Sequence, residues 1–402
     1  MDSGYSSVLA VIAVAVLAPI IASFAARLRV PAVACEIVVG ILIGPSVFGW
    51  IEMDDALNLI GTFGLGYLLF LAGLEIDLST LKGRGLRIVG LWLVGLALAV
   101  GFGLGFHAFD HTDGPLVLGI ALAATSLGLI VPILRDSNKL GTPFGDTVLA
   151  SGSIGEFGPL LALSIFFSTS GAGPGTQVFL IGVFAVGVAI VGFALARIVQ
   201  LPSVWSTLDR FADTSSQLNV RAVVLVLLLF LALADGLGFE AILGSFVGGV
   251  ILRVLDRGNH LEDVKLKSKI DAIGYGFFIP VFFVTSGIKV DARALFEQPW
   301  SLLFIPAFLV AMLIARGVPS LWLGGGFTRK EKVAAGLLAA TNLSIPVVVV
   351  SVATEVGKID SASAAALIVA GVVSVVLLPP IANALLPDAT PLAADWDERN
   401  PL

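Results

Sequence analysis

An all-α integral membrane fold is predicted by three properties of this 402-residue sequence: long apolar runs, a shortage of charge, and a polar motif pattern repeated across its halves. Apolar residues make up 57% of the chain and charged residues 13%, with a mean hydropathy of +1.02. Soluble domains carry about 25% charged residues, so a water-exposed surface could not be covered here. The 45 glycines suit helices that pack closely in lipid through small residues.

A helix that crosses a bilayer takes about 20 mostly apolar residues. On that measure about 13 transmembrane helices are predicted, near residues 6–26, 31–50, 56–76, 86–108, 115–135, 142–168, 177–200, 219–237, 239–256, 268–288, 298–323, 332–353 and 361–386. Met1–Ser7 lacks a basic stretch, so the first run is expected to stay as a helix. The connections are short, which makes residues 1–402 a single expected membrane transport domain, with 387–402 as a short cytoplasmic tail.

Basic residues orient such a chain. With the N-terminus outside and the C-terminus cytoplasmic, 19 of the 23 lysines and arginines fall on the inner side, and only Lys289, Arg293 and Lys358 fall outside. Arg316 lies within a span. A multi-pass location in a cell membrane, a bacterial inner or plasma membrane, follows as the expectation.

Several chemistries are excluded. Cys35 is the single cysteine, and His107, His111 and His260 show no metal-binding spacing, so no disulfide framework, metal hydrolase or cofactor is expected. The Gly101–Gly105 run lacks the strand and helix context of a dinucleotide site. Nothing points to nucleic acid.

Two polar motifs recur. Gly73-Leu-Glu-Ile-Asp77 matches Gly287-Ile-Lys-Val-Asp291, and Leu122-Ala-Ala-Thr-Ser-Leu127 matches Leu338-Ala-Ala-Thr-Asn-Leu343. The members of each pair lie seven predicted helices apart, an odd number that reverses direction across the bilayer. The expectation is an inverted-topology repeat, with residues 6–168 as repeat 1, 177–200 as a linker helix and 219–386 as repeat 2. Inverted repeats build secondary transporters, whose substrate sites lie where broken helices meet. The fifth and twelfth helices are the candidates for breaks. Thr125 and Ser126 precede Pro132, and Thr341 and Asn342 precede Pro346. Each proline crowds the carbonyl four residues back, that of Gly128 or Asn342. The competing reading is a plain kink whose hydroxyls bond back to their own helix.

Ionisable residues deep in a membrane are costly and mark ion or proton pathways. Glu156 sits near the middle of its predicted helix among Gly152, Gly155 and Gly158, with Ser153 three residues back on the same face. Arg316 is the other deep charge; its guanidinium keeps its proton, so it needs a counter-charge unless it snorkels out. By predicted helix position, Glu156 is the only deep carboxylate available. A carboxylate can hold a proton or a small hard cation, but one disfavours the other. Such a site makes an exchanger if only loaded forms cross, and a single acid suggests one proton per monovalent cation.

Four stretches resemble the monovalent cation:proton antiporter-2 family of bacterial sodium/proton exchangers, potassium efflux systems and plant cation/proton exchangers. They are Val30–Gly49 with its Pro31, Glu36, Gly40 and Gly44-Pro45, Phe70–Asp77, Ala241–Leu252 and Pro280–Lys289. The resemblance implies the sodium/proton antiporter fold with two crossed, unwound helices carrying Thr125, Ser126, Thr341 and Asn342. It puts Glu156 where relatives have an essential aspartate in an acid or amide pair, although here the pair is Gly155-Glu156. The missing first acid leans toward electroneutral exchange. Arg316 falls where relatives carry a basic partner of the site, and Lys289 matches a lysine of the plant-type members. The implied function is exchange of Na+ or K+ for H+ by an elevator motion in a homodimeric membrane protein, without nucleotide-domain gating.

Two alternatives remain open at this point. A sodium-coupled solute symporter would need a second polar pocket, and none is evident. An intramembrane aspartyl protease would need two deep aspartates, whereas Asp77 and Asp291 lie at helix ends; no enzyme is expected.

Overall fold

The computed structural model describes residues 4–24, 32–75, 85–108, 114–127, 130, 133–134, 139, 142–166, 174–199, 210–211, 214, 216–236, 241–256, 264–297, 300–324, 326–355 and 357–386. The expectations for Asp77, Gly128, Pro132 and the tail 387–402 lie outside the described residues. Among the described residues the chain is helical and holds no strand. Bilayer interiors offer no water to bond the backbone, so an apolar segment must satisfy its own amides in a helix.

The first helices are α1 (Gly4–Phe24), α2 (Ala32–Ile43), α3 (Asp55–Glu75) and α4 (Gly85–Ala108). They are followed by α5 (Pro115–Leu122), α6 (Pro143–Phe166), α7 (Pro174–Val199), α8 (Leu218–Gly236) and α9 (Ala241–Leu255). Next comes α10, in which Val264–Ile273 and Ile279–Ile288 flank a π-helical turn, Gly274–Phe278. The short α11 (Ala292–Glu297) leads to α12, where Ser301–Met312 and Val318–Ser320 flank a second π turn, Leu313–Gly317. The chain closes with α13 (Arg329–Ala339), α14 (Ser344–Glu355) and α15 (Ser361–Leu385).

Six described helices are long and apolar enough to span a membrane: Asp55–Leu74, Gly85–Ala108, Leu218–Gly236, Lys265–Glu297, Ser301–Ser320 and Ser361–Leu385. Each falls on an expected segment. The fifth and twelfth segments are interrupted, as the sequence suggested. Helix α5 stops at Leu122 and helical backbone returns at Leu127, while α13 stops at Ala339 and α14 starts at Ser344. The second break lies before its proline rather than at it. Pro346 is the third residue of α14, in a first turn where no N–H is required.

Two compact units divide the chain: Met1–Ser23, Cys35–Ile76 and Leu160–Lys289 form one, and Phe24–Ala34, Asp77–Pro159 and Val290–Leu402 form the other. In the first unit, α3 and α9 meet backbone to backbone. A Cβ at Gly73 would strike the Phe246 carbonyl, and one at Gly249 would strike that of Phe70. Helices α2 and α10 meet the same way through Gly40 and Gly287. Around them Val11, Val14, Ile43, Leu57, Val281, Val284 and Ile288 make a buried apolar cluster. Tyr67 packs on Gly274 at the π turn and donates its hydroxyl to the Ile270 carbonyl at 3.1 Å.

In the second unit, α4 lies against α5, with Gly103 on the Pro115 carbonyl and Gly119 on Val100. Gly95 of α4 lies on the Ala315 carbonyl of the second π turn. Pro319, four residues later, cannot donate to that carbonyl. Helix α13 begins with a capping box, Thr328 Oγ1 accepting the Glu331 N–H at 3.3 Å and Glu331 Oε2 accepting the Thr328 N–H at 2.8 Å. An apolar cluster of Ile130, Leu134, Phe144, Val148, Leu323, Ala334, Leu338 and Leu386 fills the space beside it.

Candidate ion-binding site

Every helix end leaves up to four N–H or C=O groups without an intrahelical partner. Two helices broken inside an apolar unit therefore create orphan groups that protein atoms must satisfy. In the second unit each break satisfies the other. Thr125 donates its hydroxyl to the Ala339 carbonyl at the end of α13. The Asn342 amide donates to the Ala121 carbonyl in the last turn of α5 at 2.9 Å. The Ser126 N–H reaches the Thr341 carbonyl at 3.1 Å, and the Leu343 N–H reaches Ser126 Oγ at 2.9 Å. Ser126 Oγ also stands 3.4 Å from Asn342 Oδ1. Thr125, Ser126, Thr341 and Asn342 are all wholly buried.

Glu156 enters this crossing from α6 and is 1% exposed. Its Oε2 accepts the N–H of Leu127, where helical backbone resumes after the first break, at 3.1 Å. A helix start favours negative charge there. The approach of α6 depends on Pro159 inside that helix. Proline cannot bond the carbonyl four residues back, and that carbonyl, of Gly155, accepts the Thr125 N–H at 3.0 Å.

Arg316 comes from the second π turn and is 3% exposed. It does not snorkel. Its Nε donates to Thr125 Oγ1 at 2.9 Å and its Nη2 to the Ser151 carbonyl at 3.3 Å. Glu156 and Arg316 are thus joined through residues 125–127, the arginine holding the side chain of Thr125 and the acid holding the amide of Leu127. Because Arg316 takes the acceptor side of the Thr125 hydroxyl, that hydroxyl's proton is directed at Ala339.

Gly155 explains the departure from the acid or amide pair. A Cβ there would meet Arg316 Nη2 and would lie 2.6 Å from Thr125 Oγ1. The volume that a side chain at position 155 would fill is taken by the guanidinium. Gly155→Ala is expected to destabilise the protein by about 1–3 kcal/mol through overpacking, read as a lowered Tm in detergent. An unchanged Tm would show that Arg316 and Thr125 can move aside freely.

The other expected residues are placed differently. Ser153 is buried but donates its hydroxyl to the Leu149 carbonyl of its own helix at 2.9 Å. Thr341 likewise bonds back to Leu337 at 3.0 Å, so it enters the crossing through its carbonyl. Lys289 is exposed at the end of α10 and belongs to the first unit. Two supporting residues went unread in the sequence. Ser374 of α15 accepts the Asn342 N–H at 3.1 Å and stands 3.3 Å from the Asn342 carbonyl, to which Pro346 has no N–H to donate. Pro159 is the other, and the proline rule applied four residues back would have found it.

Glu156 is not the only buried carboxylate: Glu36 and Asp256, both in the first unit, are 4% and 7% exposed. Among the described residues no group of three or more His, Cys, Asp or Glu side chains could hold a metal ion. The oxygens gathered around the crossing, from Glu156, Ser126, Asn342 and the backbone, are the hard ligands that alkali cations take.

YjbQ of Bacillus subtilis (strain 168), named as a Na+/H+ antiporter, is 28% identical over 394 residues, covering 93% of this chain and 62% of its own length. GerN of Bacillus cereus, named as a Na+/H+-K+ antiporter, is 25% identical over 361 residues, covering 88% of this chain and 90% of its own. The structure of the sodium proton antiporter MjNhaP1 from Methanocaldococcus jannaschii at pH 8 matches with a TM-score of 0.67 and 20% identity, over 95% of this chain and 98% of that one. The fold is therefore that of a sodium/proton antiporter. Residues 12–386 match the family described as sodium/hydrogen exchanger, transmembrane, and the chain belongs to that family.

Proposed function

We propose that this chain is a secondary active antiporter that exchanges a monovalent cation, Na+ or K+, for H+, one for one. The observation that carries the reading is Glu156, almost wholly buried on the amide of a resumed helix. A carboxylate in that position binds either a proton or a cation, and the two compete for the same oxygens. H+ and Na+ or K+ each bring a single positive charge. Opposite transits of the two loaded forms therefore move no net charge, which makes the cycle electroneutral.

Around the acid, Ser126 and Asn342 supply neutral oxygens, Thr125 fixes the break, and Arg316 balances the charge. Family membership supports the transport class, and the names of YjbQ and GerN support Na+ and K+ as cargo. Alternating access by an elevator motion in a homodimer, with the N-terminus outside and the C-terminus cytoplasmic in the plasma membrane, completes the proposal.

The test is purified protein in proteoliposomes carrying a pH-sensitive dye. Addition of Na+, K+ or Li+ is expected to drive proton flux, at a rate that an imposed membrane potential leaves unchanged. Absence of flux with every cation removes the antiporter reading, and a rate that follows the potential removes the one-for-one stoichiometry.

A further inference from the structure

Trp92 of α4 has no place in the site just described, yet it lies in the same unit and against the same helix as Glu156. Gly155 and Gly158 share one face of α6, where residues three apart have Cβ positions about 5–6 Å apart. The Arg316 guanidinium and the Thr125 hydroxyl fill the first notch, and the Trp92 indole fills the second. A Cβ at Gly158 would lie 2.5 Å from Cζ2 and 2.7 Å from Cε2, the ring carbon bonded to the indole nitrogen. Three residues along α4, Gly95 rests on the carbonyl of Ala315, the residue before Arg316. One face of α4 therefore braces both the helix that carries Glu156 and the π turn that carries Arg316.

Trp92 is 8% exposed, and its indole N–H is the only buried side-chain donor among the described residues that has no hydrogen-bond partner. A buried donor left unmet costs stability and calls for an explanation. A phenylalanine would fill the notch at Gly158 with no orphan donor, so shape alone does not account for a tryptophan there. The acceptors that α6 offers around Gly155 are engaged. The Ser151 carbonyl accepts Arg316 Nη2, the Gly155 carbonyl accepts the Thr125 N–H, and Glu156 Oε2 accepts the Leu127 N–H. A further acceptor has to be brought in, and an alkali cation comes to a buried site with water in its hydration shell.

We propose that Trp92 is a positioning residue of the exchange site. Its ring holds α6 where Glu156 reaches Leu127, and its N–H donates to a water that enters with the cation. The proton-loaded site takes no such water, so the added hydrogen bond favours the cation-loaded form. No covalent bond is made or broken at Trp92. The proposal rests on the antiporter reading, with Glu156 as the acid that the cation and the proton share.

Two measurements on the purified protein test it. In ultraviolet resonance Raman spectra, adding Na+ or K+ at alkaline pH should move the indole N–H band to its hydrogen-bonded position. That change should be lost in Trp92→Phe and in Glu156→Gln. In proteoliposomes Trp92→Phe keeps a ring in the notch and should exchange at the parent's maximal rate, with its KM for the cation raised about 2–12-fold, the worth of one hydrogen bond. Trp92→Ala empties the notch and should lose maximal rate as well. A band that ignores the cation, or that still moves in Trp92→Phe, overturns the proposal. So does a Trp92→Phe protein with the parent's KM, a Trp92→Ala protein with the parent's maximal rate, or a Trp92→Phe protein that fails to fold, since the N–H would then be holding the structure. A parent that exchanges no cation defeats the antiporter reading, whereas a parent that exchanges while its indole band stays silent defeats this proposal alone.

Discussion

Glu156→Gln is expected to reduce cation-driven proton flux to that of protein-free vesicles. Glutamine has the same length, and its carbonyl oxygen can still accept the Leu127 N–H that Glu156 Oε2 accepts at 3.1 Å. The crossing of the two breaks should therefore survive, and the thermal transition should move little. What disappears is the ability to take up a proton or to neutralise a cation. Glu156→Asp gives the complementary result. Its carboxylate is one methylene shorter and falls back from Leu127, so exchange should return weakly with a changed order of preference among Li+, Na+ and K+. The measurement is dye-reported flux in parallel with thermal unfolding. A correctly folded Gln variant with flux above empty vesicles would dismiss Glu156 as the ion-binding acid.

Arg316→Ala is expected to produce the largest loss of stability. The guanidinium is buried and donates to Thr125 Oγ1 and to the Ser151 carbonyl. Its removal leaves those acceptors short of donors, and Glu156 without its buried counter-charge. Breaking a buried charge arrangement from one side costs about 3–5 kcal/mol. Adding Glu156→Gln to the same protein removes the opposite charge as well and should recover part of that loss without restoring transport. Where Arg316→Ala still transports, the pH of half-maximal exchange should rise, because an ionised acid is harder to form once a neighbouring positive charge is gone. Equal stability of the single and double variants, together with an unmoved pH profile, would uncouple the two charges.

The parts of this arrangement that stand out in the sequence are those that offend their surroundings locally. Glu156 and Arg316 are conspicuous because they interrupt apolar runs, and the breaks are conspicuous because Thr125-Ser126 and Thr341-Asn342 recur at matching positions before prolines. The partners were hidden because they depend on approach in space. Nothing near Thr125 announces that its hydroxyl serves Arg316, 191 residues away. Ser374 looks like one more small residue of an apolar helix until it is seen holding both backbone groups of Asn342. Ser153 misled for the opposite reason: helical spacing put it beside Glu156, but a serine inside a helix can bond to its own preceding turn. Glu36 lies near the start of its predicted segment yet is buried, because burial is not set by distance from a helix end.

The reciprocal finishing of the two breaks bears on how the protein is made. The hydroxyl of Ser126 waits for the amide of Leu343, 217 residues later, and the carbonyl of Ala121 waits for the side chain of Asn342. At a synthesis rate of about 5–20 residues per second, the first interrupted helix sits in the translocation machinery or the bilayer for roughly 10–40 s before its complement is made. Neither broken segment is a finished element when it leaves the ribosome, and the second unit becomes whole only as its last helices arrive.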